Sequence, residues 1–168
     1  MSEPLILALI SWAEERLTSI YTANTKAAFD EAFDAFVDEK VQVVLNGEQL
    51  TRDEYKRRLY NERQRNSSSA ANVKFNNNVV AFSTPSNAVI ELGSVGLFYV
   101  ATLSDGVLVG AVTSSMNIKV QRKEIPIKPG QPIQDNRKVT VINQVASVVD
   151  DASPQIAHAS TTEAVDIV

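Results

Sequence analysis

The chain of 168 residues is 44% hydrophobic and 21% charged, which is the size and composition of one globular domain with a hydrophobic core. It has no cysteine, and its single histidine, His158, lies in a polar C-terminal segment, so thiolate, cysteine-metal and imidazole chemistry are excluded from the body of the chain. The net charge of −4 equals the charge of the segment after Val149, whose four carboxylates are accompanied by no basic residue, and the neutral body therefore predicts no nucleic-acid partner.

An apolar run over residues 4–13 is preceded by an acidic and not by a basic residue. It is too short to span a bilayer, and it lacks the basic front end of a signal peptide. Trp12, Arg16 and Tyr21 follow at helical spacing, so we predict a buried helix from about Pro4 to about Tyr21. We expect a soluble, cytoplasmic protein without a membrane partner.

A second helix is predicted from Lys26 to about Asp38, with Asn24 or Thr25 as its N-cap. Its apolar positions form one wide stripe: Ala28, Phe29, Ala32, Phe33, Phe36 and Val37. Its acids form a second stripe at i, i+4 spacing: Asp30, Asp34 and Asp38. Such a stripe is either a set of metal ligands or catalytic carboxylates, or a solvated face. Because it points away from the phenylalanines, we interpret it as a solvated face.

The next stretch changes from strand to helix within a few residues. Residues 41–45 predict a short strand, and Asn46-Gly47 predicts a tight turn after it. Thr51 opens a new helix, and Glu54, three residues later, completes a capping box.

The helix predicted over residues 52–65 is basic and carries two tyrosines. It is either a nucleic-acid or phosphate surface, or an exposed helix whose buried side is formed by Tyr55 and Leu59. The acids Glu54 and Glu62, together with the neutral body, favour the exposed helix.

The rest of the chain is rich in residues that favour strands. Four strands are predicted: Val73 to Phe82, Ala88 to Leu103, Val107 to Arg122, and Arg137 to Val149. The second and third are joined by Ser104-Asp105-Gly106, which is a strong hairpin signal. Alternation in the third strand places Met116 and Ile118 on its core face.

Both faces of the second predicted strand are apolar, so both must be covered. We assign the helices to the concave face of the sheet and a second copy of the chain to the convex face. The expected homodimer buries Val95, Leu97 or Tyr99, or their neighbours on the adjoining strand.

Three N-terminal helices followed by a long sheet resemble the nuclear-transport-factor-2-like, or SnoaL-like, superfamily of cone folds. The resemblance covers about residues 5–149 and is carried by four segments: Phe33-Asp-Ala-Phe36, Val41 to Leu45 with Asn46-Gly47, Leu50-Thr-Arg-Asp-Glu-Tyr-Lys56, and Gly96-Leu-Phe-Tyr-Val-Ala-Thr102. Three segments are similar to uncharacterised fungal members: Gly93-Ser-Val-Gly-Leu-Phe-Tyr99, Val112-Thr-Ser-Ser-Met-Asn117, and Val141-Ile-Asn-Gln-Val145.

This resemblance implies an α+β fold in which three N-terminal helices pack in the concave face of a strongly bent antiparallel sheet. It implies one SnoaL-like domain over residues 1–150, which leaves residues 151–168 as an acidic tail. It also implies a pocket between sheet and helices and frequent homodimerisation through the convex face. It does not imply one reaction, because the fold carries isomerases, cyclases, dehydratases, epoxide hydrolases and non-catalytic binders.

Glu91 is the first candidate for a catalytic base, because apolar surroundings tune a carboxyl group towards base catalysis. The alternative is a strand-end residue that points at solvent. Three tyrosines are candidates for hydrogen bonding to a ligand in the pocket, or are core residues whose hydroxyls are satisfied locally: Tyr21, Tyr55 and Tyr99.

Asn143 and Gln144 are two amides in a predicted strand, where amides are uncommon. One of them faces the pocket, or both have a role at a ladder edge. We take Asn143 as the ligand-binding candidate.

The leading interpretation is a non-catalytic homodimer that binds a small hydrophobic molecule in the cone pocket, with no cofactor and no metal. The alternative is a SnoaL-type isomerase, cyclase or hydratase, with Glu91 as base and a tyrosine as oxyanion donor. Convergence of Glu91 and a tyrosine hydroxyl in a closed cavity favours the enzyme. A third hypothesis, a protein-binding adaptor, is favoured by an exposed apolar patch or a docked tail.

Overall fold

The computed structural model describes residues 6–64, 70–105, 109–124, 126 and 129–149. Over these residues the chain forms three helices and a curved, open sheet of six strands, which confirms the α+β class. The helices are α1 (Leu9–Thr22), α2 (Lys26–Phe36) and α3 (Arg52–Gln64). The strands are β1 (Val37–Leu45), β2 (Glu48–Leu50), β3 (Ala70–Phe82), β4 (Gly93–Ser104), β5 (Val109–Arg122) and β6 (Arg137–Val149).

The sheet has the strand order β2-β1-β6-β5-β4-β3 and is mixed. β1 runs parallel to β6, with Val43 beside Ile142 and Leu45 beside Gln144, and the other neighbouring pairs are antiparallel. The prediction of an antiparallel sheet is wrong for this one pair. Parallel strands need a long connection between them. Here the connection from β1 to β6 contains all the elements from β2 to β5. A pairing between residues so far apart in sequence leaves no local pattern that could predict it. The placement of the helices in the concave face stays a prediction.

Side-chain caps start α2 and α3 as predicted. The Thr25 hydroxyl accepts the backbone N–H of Ala28 at 3.1 Å, and the Glu54 carboxylate accepts the backbone N–H of Thr51 at 2.8 Å. Each bond provides an acceptor for a backbone N–H group at the start of a helix, where no carbonyl of the helix can accept it.

α1 begins at Leu9, whereas the apolar run predicted a start near Pro4. Residues 6–8 are not helical, and Pro4 itself lies outside the described residues. Ala8, the residue before the helix, has no side chain that could cap it. The cap comes from a distant part of the chain, as described below.

α2 ends at Phe36, two residues before the predicted end, because the chain enters β1 at Val37. Lys138 of β6 closes this end of the helix. Its ammonium donates to the backbone carbonyls of Asp34 and Ala35 at 2.5 and 3.0 Å. A cation at a helix C-terminus is favoured by the free carbonyls and by the helix dipole.

The turn between β1 and β2 is formed by Asn46-Gly47, as predicted. Both residues have positive φ, 52° and 82°, which is the combination that a two-residue type I′ hairpin requires. β1 is longer than the predicted strand, since it starts at Val37 and not at Val41.

β4 begins at Gly93, so Ala88 to Leu92, predicted as part of this strand, are a connection instead. The backbone N–H of Leu92 donates to the Thr84 hydroxyl at 3.1 Å, which holds the two ends of the connection together. A Cβ at position 93 would collide with the backbone carbonyl of Ala81. Only glycine allows the strands to approach this closely at their end.

One face of the sheet forms the core. Alternate residues of β4 and β5 are buried on it: Val95, Leu97, Tyr99, Ala101, Leu103, Val112, Met116, Ile118 and Val120. The aromatic residues of α1 and α2 complete the same cluster: Trp12, Tyr21, Phe29, Phe33 and Phe36. The prediction of a core face through Met116 and Ile118 is therefore confirmed.

The residues that were predicted to form the dimer interface lie on this core face of the sheet. Val95, Leu97 and Tyr99 are at most 2% exposed within the single chain, so they are not available to a second copy. Their neighbour Phe98 is 42% exposed on the opposite face. The sequence could not distinguish these sets, because both faces of the strand are apolar and only the tertiary packing selects one.

Several predicted features lie outside the described residues: the acidic tail at 151–168, His158, and Gly106 of the predicted hairpin. β4 and β5 do pair as that hairpin requires, with Ser104 opposite Val109. No helix in the described part of the chain is long and apolar enough to cross a membrane.

Candidate functional site

Three tyrosines predicted as ligand-binding residues meet in the core. Tyr21 comes from α1, Tyr55 from α3 and Tyr99 from β4, and none is more than 1% exposed. The hydroxyls of Tyr21 and Tyr99 are 3.3 Å apart, and their rings pack edge to face. The structure brings the predicted residues together, but in the arrangement of core tyrosines with locally satisfied hydroxyls.

Gln144 of β6 connects these hydroxyls. Its Oε1 accepts the Tyr55 hydroxyl at 2.7 Å, and its Nε2 donates to the Tyr99 hydroxyl at 3.1 Å and to Ser114 Oγ at 2.9 Å. The amide is 1% exposed. Both of its ends are used, as a buried amide requires.

Asn143 does not join this cluster. Its side chain is exposed on the opposite face of β6, where it lies beside Asn117 of β5. Successive residues of a strand point to opposite faces, so only one of the two adjacent amides reaches the core. That residue is Gln144.

Burial sets the protonation of the tyrosine cluster. It raises the pKa of Tyr99 to about 12, although hydrogen bonds with Ser114, Tyr21 and Gln144 lower it. Burial also raises the pKa of Tyr21 and of Tyr55 well above the ordinary value, and the neighbouring Tyr99 and the negative charge of Glu62 add to both shifts. At neutral pH these hydroxyls stay protonated and act as hydrogen-bond donors, not as bases.

Glu91 caps a helix. It lies in the connection between β3 and β4, and its Oε2 accepts the backbone N–H of Leu9 at 2.7 Å. That N–H belongs to the first turn of α1 and has no acceptor within the helix, and a carboxylate is favoured there by the helix dipole. In the part of the chain that the structure describes, Glu91 makes no hydrogen bond to a tyrosine, so the predicted pair of base and oxyanion donor is not assembled.

A pocket of about 280 Å³ opens next to the tyrosine cluster, between the second half of α3 and the end of β6. Three aliphatic residues and one amide line its sheet side, and three polar residues of α3 line the other: Leu45, Asn46, Ala146, Val148, Arg58, Asn61 and Glu62. Ala146 and Val148 are the inward-facing residues of β6 that follow Gln144. The pocket therefore lies against the core face of the sheet, just beyond Gln144.

On the sheet side of this pocket, two hydrogen bonds join the turn after β1 to β6. Asn46 Nδ2 donates to the backbone carbonyl of Ala146 at 3.0 Å, and Asn46 Oδ1 accepts the N–H of the same residue at 2.8 Å. On the helix side, Arg58 forms an ion pair with Glu48 at 2.7 Å. The arrangement can hold a small molecule by apolar contact on one wall and by polar contact on the other.

The acidic stripe of α2 and the basic side of α3 form one seam of ion pairs. Lys56 lies 3.1 Å from both Asp30 and Asp34, Arg52 lies 2.8 Å from Asp34, and Lys26 lies 2.5 Å from Asp30. Hydrogen bonds from Lys26 and Lys56 hold the pKa of Asp30 below its usual value. These charges join two helices. Among the described residues, no group of three or more His, Cys, Asp or Glu side chains is placed to hold a metal ion.

Sequence reasoning missed two contributors, although each left a signal. Ser114 has the same parity as Met116 in β5, so it is a hydroxyl in a row of core residues. Glu62 follows Tyr55 and Leu59 at i+7 and i+3, so it lies on the buried side of α3 near its end.

Comparison with known proteins gives matches by structure alone. No family model and no curated protein matches the chain. A structure described as "Rd1NTF2_04 with long sheet" is 6% identical, covers 80% of this chain and 97% of the other, and has a TM-score of 0.45. An NTF-2 like protein of unknown function from Pseudomonas aeruginosa is 11% identical, with coverages of 82% and 94% and a TM-score of 0.45. Another, from Shewanella oneidensis MR-1, is 12% identical, with coverages of 81% and 95% and a TM-score of 0.43. The similarity to fungal members stays a prediction.

Proposed function

We propose that this protein is a non-catalytic homodimer that binds a small molecule in the pocket between α3 and the end of β6. The observation that supports this proposal is the pocket itself. Its volume of about 280 Å³ is close to the lower end of the range for small-molecule sites. Its sheet wall includes Asn46 and Ala146, which are joined by two hydrogen bonds.

The chemistry of the lining indicates the kind of ligand. The sheet wall offers the aliphatic side chains of Leu45, Ala146 and Val148, and α3 offers Asn61 and Glu62. A matching ligand has a small hydrophobic body that lies against the sheet and a polar group that reaches α3. Burial of the hydrophobic body supplies the affinity, and the polar group fixes the orientation.

Binding without reaction agrees with the state of the tyrosines. Gln144 holds the hydroxyls of Tyr55 and Tyr99, and Glu91 is bound to the N-terminus of α1. A catalytic base must reach the proton that it removes. A reaction that uses Glu91 as base has no support in this geometry.

The homodimer is supported by the outer face of the sheet, the face opposite the core. Val79, Phe98 and Val145 are 67%, 42% and 63% exposed there. The outward-facing residues of β4 and of residues 143–149 of β6 are uncharged. Lys74 and Lys119 also lie on this face, opposite Val100 and Ser94, so the uncharged part is the region around Phe98 and Val145. Exposed apolar patches of this kind mark interaction sites.

Native mass spectrometry tests ligand binding without assuming which molecule is bound. The purified protein is mixed with a metabolite extract, desalted and weighed under native conditions. We expect an added small mass that is lost when Asn61, which lines the pocket, is changed to Trp. The control is Gln64→Trp, an exposed position on the same helix outside the pocket lining.

The two variants separate the possible results. Retention of the added mass by Asn61→Trp, or its loss from both variants, would place the ligand elsewhere. Absence of any added mass from the unchanged protein would contradict the proposal. A product mass that appears in the extract only with the protein present would show that the pocket is catalytic.

A further inference from the structure

The polar side of the pocket includes a carboxylate, that of Glu62. It follows Tyr55 and Leu59 on the inner side of α3, so it continues the buried side of the helix to the pocket. Its Oε2 atom is buried. Its negative charge helps to raise the pKa of Tyr21, Tyr55 and Tyr99. The carboxylate therefore lies on the side of the pocket that faces the tyrosine cluster.

The cation in the pocket lining already has a partner. Arg58 forms an ion pair with Glu48 at 2.7 Å, and the two side chains are 45% and 61% exposed. This pair has no net charge and lies toward solvent. The amide of Asn46 has both ends bonded to the backbone of β6. Among the polar side chains that line the pocket, those of Asn61 and Glu62 are therefore the best placed to contact a ligand.

A carboxylate can accept several hydrogen bonds at once. Its two oxygens together offer about four acceptor positions. Glu62 can therefore accept from a ligand in addition to the contacts that it makes within the chain.

The end of α3 adds negative potential at the same place. Asn61 and Glu62 lie in the last turn of this helix, which ends at Gln64. The last four carbonyls of a helix have no N–H partner within it, and the helix dipole adds partial negative charge there. A cation is favoured at such an end, as with Lys138 at the end of α2.

The other cations of α3 are directed elsewhere. Arg52 and Lys56 form ion pairs with acids of α2. Arg63 is buried and donates to a backbone carbonyl between α1 and α2 at 3.0 Å. Arg57 is exposed, and exposed charges are screened beyond about 8 Å at physiological ionic strength. Apart from the ion pair at the rim, the positive charge of α3 therefore lies outside the pocket lining.

We propose that the ligand of this pocket is a small hydrophobic amine whose ammonium group donates to the Glu62 carboxylate and to the Asn61 amide oxygen. This inference rests on the pocket of the proposed function and names the chemical class of its ligand. The hydrophobic body lies against Leu45, Ala146 and Val148. A hydrogen bond between ionised groups is shorter and stronger than one between neutral groups. The pocket should therefore bind a cation in preference to a neutral molecule or an anion of the same shape.

Three probes with the same ring and different charge test this preference: benzylamine, benzyl alcohol and benzoate. Each is titrated at neutral pH into the isotope-labelled protein, and the amide resonances of residues 61–62 and 146–148 report binding. We expect benzylamine to bind about tenfold more tightly than benzyl alcohol, and benzoate to bind most weakly. Ser115 and Asn117, on the outer face of β5, should not shift. Equal affinities for benzylamine and benzyl alcohol, or tighter binding of benzoate, would overturn the inference.

A charge variant tests whether Glu62 is the source of the preference. Glu62→Gln keeps the size of the side chain and removes its charge, so the affinity for benzylamine should fall about tenfold, to that for benzyl alcohol. The affinity for benzyl alcohol should change little. The control, Asp53→Asn, removes one charge from an exposed position in the first turn of the same helix and should keep the preference.

The amide spectrum of each variant without probe checks that it is folded. Retention of the preference by Glu62→Gln, or its equal loss from both variants, would overturn the assignment to this residue. If Glu62→Gln does not fold, the order of the three affinities in the unchanged protein still decides whether the pocket prefers an amine.

Native mass spectrometry with the metabolite extract separates a failure of this inference from a failure of the proposed function. The retained molecule should be an amine, identified after release by its accurate mass and by reaction with an amine-specific reagent. A retained neutral or acidic molecule that is lost from Asn61→Trp would overturn the amine class and leave ligand binding in place. If no molecule is retained and none of the three probes shifts the pocket resonances, both proposals fail.

Discussion

Gln144 shows how one amide can organise a buried polar cluster. It is a neutral residue in the core that serves two tyrosine hydroxyls and one serine, each at 3.1 Å or less. A third hydroxyl, that of Tyr21, is linked through Tyr99. Such a network stabilises the fold only while every member has a partner, because an unpaired polar group in the core costs more than a hydrogen bond returns.

Replacement of Gln144 tests this role. Gln144→Leu should lower the free energy of unfolding by about 3 kcal/mol, because it leaves buried hydroxyls without their partner. The control is Asn143→Leu, the adjacent and exposed amide, for which we expect a change within about 0.5 kcal/mol. Urea unfolding measures both. Equal losses in the two variants would contradict the assignment of Gln144 as the centre of the cluster.

Glu91 acts through the backbone of a helix 82 residues away in sequence. Glu91→Gln removes the charge at the N-terminus of α1 and should cost about 1 kcal/mol of stability, measured by thermal or urea unfolding. Glu124→Gln, at an exposed position, is the control and should cost little. The fraction of protein that retains the small molecule in native mass spectrometry should be unchanged by either substitution. A large loss of small-molecule binding with Glu91→Gln alone would show that this residue belongs to the binding site.

Among the described residues, the most deeply buried charged side chain lies at the start of β6. The Arg137 guanidinium is fully buried, donates to both carboxylate oxygens of Asp135 at 2.9 and 2.7 Å, and lies over the ring of Trp12. Burial raises the pKa of Asp135, but the hydrogen bonds from Arg137 outweigh it and hold that pKa below its usual value. The pair therefore couples the stability of the sheet to acid pH.

The sign of this coupling follows from the lowered pKa. The stabilisation is complete above the unfolded-chain pKa of about 4, and it is lost as the pH falls through the lower pKa of the folded state. Asp135→Asn should reduce stability by about 2 kcal/mol at neutral pH, because it removes the charged partner of a buried guanidinium.

The acid limb of the pH profile provides the control. Asp135→Asn should also flatten the loss of stability below about pH 4, whereas Asp53→Asn, at an exposed position of α3, should leave that loss in place. Urea unfolding over a series of pH values measures both. An unchanged acid limb in Asp135→Asn would contradict the assignment.

Elements whose ends are set by local chemistry could be predicted from the sequence. Thr25 and Thr51 cap helices through bonds to residues three positions away, and Asn46-Gly47 fixes a hairpin through its own backbone angles. The parallel pairing of β1 with β6 and the cap supplied by Glu91 join distant parts of the chain, so no local pattern contains them. At Asn143 and Gln144 the residue types were informative, but the face that each occupies depends on the register of the sheet.

At the scale of the whole molecule, the two faces of the sheet have separate roles in this account. The inner face carries the tyrosine cluster and the pocket, and the outer face carries the uncharged surface around Phe98. A groove runs along Gly96 on this outer face, where Val79 and Asn117 lie so close to the backbone that a Cβ would displace them. An interface there would leave the pocket mouth open.

Phe98→Asp tests the proposed dimer. A charge in the centre of an apolar interface is strongly unfavourable, so this variant should be monomeric by light scattering at micromolar concentration, where the unchanged protein should be dimeric. Val89→Asp, at a position 66% exposed in the connection before β4, is the control and should remain dimeric. A monomer for the unchanged protein, or a dimer for Phe98→Asp, would contradict the outer-face interface.

The most direct test of the account is a map of amide chemical shifts on the isotope-labelled protein during titration with the metabolite extract, or with the molecule that native mass spectrometry identifies. We expect saturable shifts at residues 45–46, 58–62 and 146–148, together with unchanged resonances at Ser115 and Asn117 on the outer face. Shifts confined to the outer face, or no saturable shift at the pocket, would contradict the claim that this pocket is the binding site.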